Sequence, residues 1–253
     1  MEMLSSPLQT LHLNVYYDIT CPYCCVAHRR LKEIIAPTLK KQHGINLSLK
    51  VKSHQLISSL PSGNSDPNLG PVAPPVNKIE FLSQFLGGAE GVRKLIRDIE
   101  VDSRRHGVEL VCLDGGLACN SANAHRLLYI LGKDCKKEGE SLKQAVLMKR
   151  FYRYFELGEA PTVANLKGAV QDVINDLKET FDIEAFESAV QKWFNDTGYC
   201  KSEVQNLLNK APPKVLGKGV PYAVISDTVL DISTETTNAA VIQNLLDIAL
   251  KSK

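Results

Sequence analysis

Two cysteines separated by two residues, Cys21 and Cys24, stand between a strand pattern and a helix pattern. Residues 11–18 alternate apolar and polar side chains, as a strand with one buried face does. The next segment repeats apolar residues with a helical period, and Pro22 suits a first helical turn, where no backbone N–H is needed. Residues 45–51 alternate again. Two strands joined by such a helix predict a parallel β-α-β unit with a right-handed crossover.

The first strand and helix carry two more detailed predictions. One face of the strand is apolar, and the polar face comprises His12, Asn14, Tyr16 and Asp18. Within the helix pattern, Pro37 is expected to kink or end the helix, because proline cannot donate the backbone hydrogen bond that continues it.

A long helical block follows the β-α-β unit. After the proline-rich segment 61–77, which we predict as a loop, no segment alternates convincingly until about residue 210. Helical periods recur, and glycines separate them. The predicted helices are 78–87, 89–106, 121–137, 141–157, 163–178, 183–195 and 201–210.

The end of the chain returns to strand patterns. Pro212 and Pro213 interrupt the helical pattern, and two short strands at 220–225 and 228–232 predict a hairpin. A closing helix is predicted at about 237–250.

The two ends of the chain together predict one small mixed sheet flanked by helices. The fold class is therefore α/β, in the order β-α-β … β-β-α, with a large all-helical insertion. We predict that residues 10–77 and 211–253 form one discontinuous domain and that residues 78–210 form the helical insertion domain.

The position of the cysteine pair indicates redox chemistry. A thiolate is the species that attacks a disulfide, and a helix N-terminus favours an anion through its free N–H groups and dipole. Cys21 occupies that position, whereas Cys24 lies one turn further along the apolar stripe. We therefore predict that Cys21 attacks and Cys24 resolves the mixed disulfide. Pro22 and Tyr23, which separate them, are candidates for substrate contact.

Other roles for the cysteines are weaker. The chain has seven cysteines, and an odd number in a chain of this size argues against a disulfide scaffold. Cys25 is predicted to be a passive buried or semi-exposed thiol, with an auxiliary redox role as the alternative. A metal site made of the clustered cysteines and His28 is an alternative, but a structural zinc site usually brings a second Cys/His pair at short spacing. No metal is predicted.

The composition excludes several classes of function. A net charge of +2 without a basic run gives no reason to expect nucleic-acid or membrane binding. No run of eighteen apolar residues is present, and the first ten residues do not resemble a secretory signal. We expect a cytoplasmic protein.

Four segments in register resemble the DsbA-like thioredoxin superfamily, and within it the FrnE-type predicted dithiol–disulfide isomerases. The first contains the cysteine pair. The segments are 18–24 (Asp-Ile-Thr-Cys-Pro-Tyr-Cys), 120–127 (Asn-Ser-Ala-Asn-Ala-His-Arg-Leu), 151–158 (Phe-Tyr-Arg-Tyr-Phe-Glu-Leu-Gly) and 219–225 (Gly-Val-Pro-Tyr-Ala-Val-Ile). The resemblance covers about residues 10–232 and implies a thioredoxin-like fold with a helical insertion.

The resemblance also implies site residues outside the cysteine motif. It implies that the Val220–Pro221 bond is cis, that Pro221 faces the cysteine pair, and that the backbone of Val220 pairs with substrate. Asn120 and His125 would lie near the cleft, with a helix cap and a structural histidine as their alternative roles.

Three functions remain open at this point. The first is a thiol–disulfide oxidoreductase or disulfide isomerase acting on protein or small-molecule thiols and disulfides. The second is a glutathione-dependent enzyme of the related kappa-class transferase and 2-hydroxychromene-2-carboxylate isomerase group, whose members usually carry serine where Cys21 stands. The third is a non-enzymatic binding or chaperone-like protein. No bound cofactor is expected, although glutathione could be a co-substrate, and the sequence predicts no oligomeric state.

Overall fold

The computed structural model of the chain describes residues 9–64, 72–112, 115–208 and 219–251. Its described elements follow the order β-α-β, helical block, β-β-α. They are β1 (Gln9–Tyr17), α1 (Pro22–Arg29), a π-helical turn (Arg30–Ile35), α2 (Ala36–His43), β2 (Ile45–Ser53), β3 (Val76–Asn77), α3 (Lys78–Ser83), α4 (Gly88–Arg105), β4 (Leu117–Ala118), α5 (Ala122–Asp134), a 3₁₀ turn (Lys136–Glu138), α6 (Gly139–Phe151), a second π-helical turn (Tyr152–Glu156), α7 (Val163–Leu177), α8 (Ile183–Asn195), α9 (Lys201–Leu208), β5 (Tyr222–Ile225), β6 (Thr228–Leu230) and α10 (Asn238–Lys251). The predicted α/β class is confirmed.

The main sheet has four strands in the order β2-β1-β5-β6. β1 and β2 are parallel over their full length, whereas β5 is antiparallel to both β1 and β6. Tyr16 near the end of β1 pairs with Tyr222 at the start of β5. This pairing brings the residue before β5, Pro221, towards the loop that leads from β1 into α1.

The alternation in β1 predicts its buried face correctly, with one exception. Leu13 and Val15 are fully buried, and Leu11 and Tyr17 nearly so. The exception is Asp18, which the pattern places on the polar face but which is completely buried. Because β1 ends at Tyr17, the two-residue period of a strand no longer fixes the direction of the next side chain.

The helix that follows the cysteine pair does not end at Pro37. A π-helical turn (Arg30–Ile35) directly precedes this proline, and the chain remains helical to His43. π-Helical turns are local irregularities at which a helix can change direction while its backbone stays hydrogen-bonded. Gly44, in the left-handed conformation at φ 64°, closes the helix.

The helical block agrees with the sequence pattern except at its start. α3 ends at Ser83 rather than near residue 87. Gly87, just before α4, and Gly88, its first residue, both have positive φ. The two-residue strands β3 and β4, which pair with each other, were not predicted, because two residues are too few to show alternation. Pro212, Pro213 and the proposed domain boundary at residue 210 lie outside the described residues. Within the described part, no helix has the length and apolar character needed to cross a membrane.

Arg30 joins the first helical segment to the end of the chain. It is 1 % exposed, and its guanidinium donates to the carbonyls of Ile232, Ser233 and Thr236 and to the side chain of Asn238. These bonds hold the segment between β6 and α10 against the π-helical turn that carries Arg30.

Replacing Arg30 with methionine, which keeps most of the apolar stem, should lower the free energy of unfolding by about 2–4 kcal/mol, because the buried carbonyls then lack donors. Urea unfolding followed by circular dichroism measures the change. Arg104 on α4 is exposed, and Arg104→Met should change stability by less than about 0.5 kcal/mol. Equal effects of the two substitutions would contradict this role of Arg30.

Candidate active site

Cys21 is the N-cap residue of α1. Its backbone is extended, at φ −94° and ψ 113°, and its Sγ accepts the N–H of Cys24 at 3.4 Å. The backbone N–H of Cys21 in turn donates to the carbonyl of Asp18 at 3.1 Å. The same Cys24 N–H also donates to the carbonyl of Cys21 at 3.1 Å. The sulfur therefore lies where an N–H of the first helical turn points towards it, a position that stabilises negative charge.

Cys24 and Cys25 lie deeper than Cys21. Cys24 is completely buried and Cys25 is 2 % exposed, against 4 % for Cys21. Burial raises the pKa of Cys24 well above its ordinary value, and the hydrogen bond and charge of Cys21 raise it further. Burial also raises the pKa of Cys25. All seven cysteines are free thiols in the structure.

The Val220–Pro221 bond is cis, as the resemblance implies. The Sγ of Cys21 lies 3.7 Å from the carbonyl oxygen of Val220, close enough for its S–H to donate. Pro221 and Tyr23 line an open groove of about 590 Å³ beside this contact. The structure thus brings Cys21, Tyr23, Val220 and Pro221 together.

Asp18 forms a buried polar cluster behind the cysteines. Its carboxylate accepts the N–H of Thr20 at 3.0 Å and that of Leu56 at 2.7 Å. The Nε2 of His125 lies 3.8 Å from the same carboxylate, too far for a hydrogen bond but close enough for an electrostatic interaction. Burial alone would raise the pKa of Asp18, but His125 and the two N–H donors outweigh it and the pKa is lowered.

His125 and Asn120 take different places around this site. His125 is 1 % exposed and lies against Asp18, a placement that fits its alternative role as a structural histidine. Asn120 lines a separate cavity of about 370 Å³ on the helical block. Its side chain donates to the carbonyl of Leu60 and accepts the N–H of Ala122 as α5 begins, which fits the capping alternative.

His28 lies in an aromatic environment. Its ring makes an edge contact with Tyr17 at 5.3 Å between centroids and a tilted contact with Phe151 at 6.3 Å. In the part of the chain that the structure describes, no three His, Cys, Asp or Glu side chains converge as metal ligands would.

A second cavity, of about 290 Å³, opens beside Cys21 between α1 and the helical block. Its walls are mostly apolar side chains from α3, α4 and the loop after β2, and its main polar member is Lys78. Neither Lys78 nor Asp18 is among the site residues predicted from the sequence. Asp18 had a usable signal, a carboxylate three residues before Cys21, whereas nothing near Lys78 in the sequence indicates a cavity.

The model of the DSBA-like thioredoxin domain family matches residues 12–195. Among solved structures, a probable DsbA oxidoreductase from Streptomyces coelicolor is 17 % identical with a TM-score of 0.64, over 96 % of this chain and 91 % of that one. A 2-hydroxychromene-2-carboxylate isomerase is 16 % identical with a TM-score of 0.50, over 96 % of this chain and 95 % of that one. A search of curated proteins finds no match.

The structural similarities establish the fold, and the match to the family model establishes the family to which the chain belongs. The predicted thioredoxin-like fold with a helical insertion is confirmed. The family match includes the strand, the cysteine pair and most of the helical block, about three quarters of the chain. The chain therefore belongs to the DSBA-like thioredoxin domain family.

Proposed function

We propose that the protein is a dithiol–disulfide oxidoreductase of the FrnE-type branch, in which Cys21 is the attacking thiol and Cys24 the resolving thiol. The observation that carries the proposal is the position of the Cys21 sulfur. It accepts the Cys24 N–H at the start of α1 and faces the Val220 carbonyl across the cleft. An extended substrate segment could replace the Cys21 contact at Val220 with backbone pairing of its own.

The reaction proceeds in two exchange steps. The Cys21 thiolate attacks one sulfur of a substrate disulfide, which breaks that bond, forms a mixed disulfide and releases one substrate thiolate. The Cys24 thiolate then attacks the Cys21 sulfur and releases the second substrate thiolate. Two electrons pass from the dithiol to the substrate, and the protein is left with a Cys21–Cys24 disulfide. In the reverse direction the protein oxidises a dithiol. If a different thiolate of the substrate attacks the mixed disulfide before Cys24 does, it forms a new substrate disulfide and releases the Cys21 thiolate, and the net result is isomerisation.

The surroundings of Cys24 suit the resolving role. Its raised pKa keeps it protonated until Cys21 has reacted. Burial is the largest cause, and the hydrogen bond and charge of Cys21 further oppose a second thiolate. Forming the mixed disulfide removes that charge and so favours loss of the Cys24 proton. We propose a cytoplasmic location, with protein or small-molecule disulfides as substrates and glutathione as a candidate co-substrate that returns the pair to its dithiol form.

The two alternatives make different demands on the cysteines. A glutathione transferase or isomerase would not need the Cys21 thiol, and hence no resolving Cys24, since the related enzymes usually carry serine at the position of Cys21. A binding or chaperone-like protein would tolerate the loss of both thiols. The similarity to a 2-hydroxychromene-2-carboxylate isomerase is a likeness of fold at 16 % identity and does not favour the second function.

The Cys24→Ser variant tests the assigned roles. It should accumulate a mixed disulfide between Cys21 and a substrate such as glutathione disulfide, since the second step lacks its nucleophile. Intact-mass spectrometry under non-reducing conditions detects the adduct, and peptide mapping should locate it at Cys21. Cys25→Ser is the matched control and should resolve as the wild type does. An adduct on Cys25, or none in the Cys24 variant, would overturn the assignment.

A further inference from the structure

The cavity beside Cys21 has the size of a small-molecule site. At about 290 Å³ it is at the lower end of ligand pockets and too small for a helix of a partner protein. Apolar side chains form most of its wall, including Phe81 and Leu82 from α3, Ile96 and Ile99 from α4, and Phe155. Such a wall favours an aromatic or branched aliphatic group.

One ammonium group lies in this apolar wall. Lys78 is only 8 % exposed, and its Nζ donates to the carbonyl of Tyr154 at 3.4 Å and lies 4.2 Å above the Tyr154 ring. No carboxylate of the described residues pairs with it. Burial lowers its pKa to about 8, against a smaller opposing influence of Cys112, so the amine is mostly protonated at pH 7.

The position of Lys78 is costly for the fold alone. A buried cation without an anionic partner is unfavourable, and Lys78 is also the first residue of α3, where the helix dipole disfavours positive charge. Proteins keep such locally unfavourable residues mainly at functional sites. A bound anion would satisfy the charge.

We propose that this cavity binds a small apolar carboxylate, with its aromatic or branched body between α3 and α4 and its carboxylate on Lys78. Binding of the carboxylate does not depend on the proposed function, but reaction of the bound molecule does. Where that molecule carries a disulfide, its sulfur reaches Cys21, which lines the same cavity. The substrate class is then an apolar organic disulfide that bears a carboxylate.

The redox step for such a substrate balances without a further reagent in a single turnover. The reduced protein supplies two electrons from Cys21 and Cys24, the disulfide RS–SR accepts them, and two RS⁻ thiolates leave. For continued turnover, an external thiol such as glutathione reduces the Cys21–Cys24 disulfide.

Binding can be tested without any redox chemistry. Titration calorimetry of the reduced protein with 2-naphthoate and with neutral 2-naphthamide should show preferential binding of the carboxylate by roughly tenfold or more, the range of one charge-assisted hydrogen bond. Lys78→Met should abolish this preference, and Lys78→Arg should retain most of it. Lys40 on α2 is exposed, so Lys40→Met is the matched control and should behave as the wild type does. No binding of naphthoate, or a preference that survives in Lys78→Met, would overturn the proposal.

Reaction rates test the proposed substrate class of the cavity separately from the proposed oxidoreductase activity. The reduced protein is mixed with 2,2′-dithiodibenzoate, its dimethyl ester or the smaller 3,3′-dithiodipropionate, and oxidation of the cysteine pair is followed by stopped flow. Each rate is divided by the rate of dithiothreitol with the same disulfide, which removes differences in intrinsic reactivity. The normalised rate for dithiodibenzoate should exceed the other two by roughly tenfold, and Lys78→Met should remove its advantage over the ester. Equal normalised rates would contradict the substrate class, whereas naphthoate binding without reaction of any disulfide would overturn the oxidoreductase and leave the cavity assignment standing.

Discussion

Replacing Cys21 with serine should lower the rate of insulin-disulfide reduction by at least about a thousandfold, to the level of the reaction without protein. A serine hydroxyl is not ionised at neutral pH and is a far weaker nucleophile towards sulfur. Cys24 cannot take over, because it is completely buried and its pKa is raised. Insulin turbidity with dithiothreitol as the reductant, or reduction of a glutathione mixed disulfide, measures the effect.

The control for this substitution is Cys135→Ser. Cys135 is also a buried thiol, 7 % exposed, but it lies at the end of α5 and its Sγ donates to the carbonyl of Ala185. Its loss should leave reduction within about twofold of the wild type, since distant structural thiols take no part in exchange. Insulin reduction that persists undiminished in Cys21→Ser would refute the mechanism. Glutathione conjugation of a generic electrophile that survives the substitution would favour the transferase alternative.

The strand, the cysteine pair and the helix could be predicted because each is a local pattern. Alternation in β1, Pro22 in the first helical turn and the positions of Cys21 and Cys24 all lie within about one strand and one helix of sequence. The side of the cleft opposite the cysteine pair, at Val220 and Pro221, could not be predicted from such a local pattern. The cis bond before Pro221 followed from resemblance alone, since most X–Pro bonds are trans.

The parts of the site that the sequence did not reveal depend on contacts between distant segments. Asp18 belongs to the polar face by its pattern, and only the fold buries it against His125 of α5. Lys78 is an ordinary charged residue until α3 packs it beside Tyr154. The helix past Pro37 is a different case: the pattern there allowed either a kink or an end, and the tertiary packing of Leu39, which is fully buried, favours continuation.

His28 should make the fold sensitive to mild acid, and His28→Leu should remove most of that sensitivity. Both ring nitrogens are buried, and neither has a hydrogen-bond partner. Burial, with a smaller effect of the Lys32 charge, lowers the pKa of His28 from 6.5 to about 3. The folded protein thus keeps the ring neutral under conditions in which the unfolded chain protonates it.

The lowered pKa determines the direction of the effect. Above pH 6.5 the ring is neutral in both states and does not contribute to the pH dependence. As the pH falls below 6.5 the unfolded state gains a proton that the folded state does not, so stability is lost by about 1.4 kcal/mol per pH unit and by about 3 kcal/mol at pH 4. His54, whose pKa burial also lowers, adds a smaller loss of the same sign.

Urea unfolding of the wild type and of His28→Leu between pH 7 and pH 4 measures this contribution. Leucine has a similar volume and needs no hydrogen bond, so at pH 7 the variant should lie within about 1.5 kcal/mol of the wild type. Between pH 7 and pH 4 the free energy of unfolding of the variant should fall by about 3 kcal/mol less than that of the wild type. His43 is exposed at the end of α2, and His43→Leu should keep the full acid sensitivity. Parallel plots of stability against pH for the wild type and His28→Leu would mean that His28 gains a proton in the folded state as readily as in the unfolded chain. That result would contradict the inference that burial keeps the His28 ring neutral.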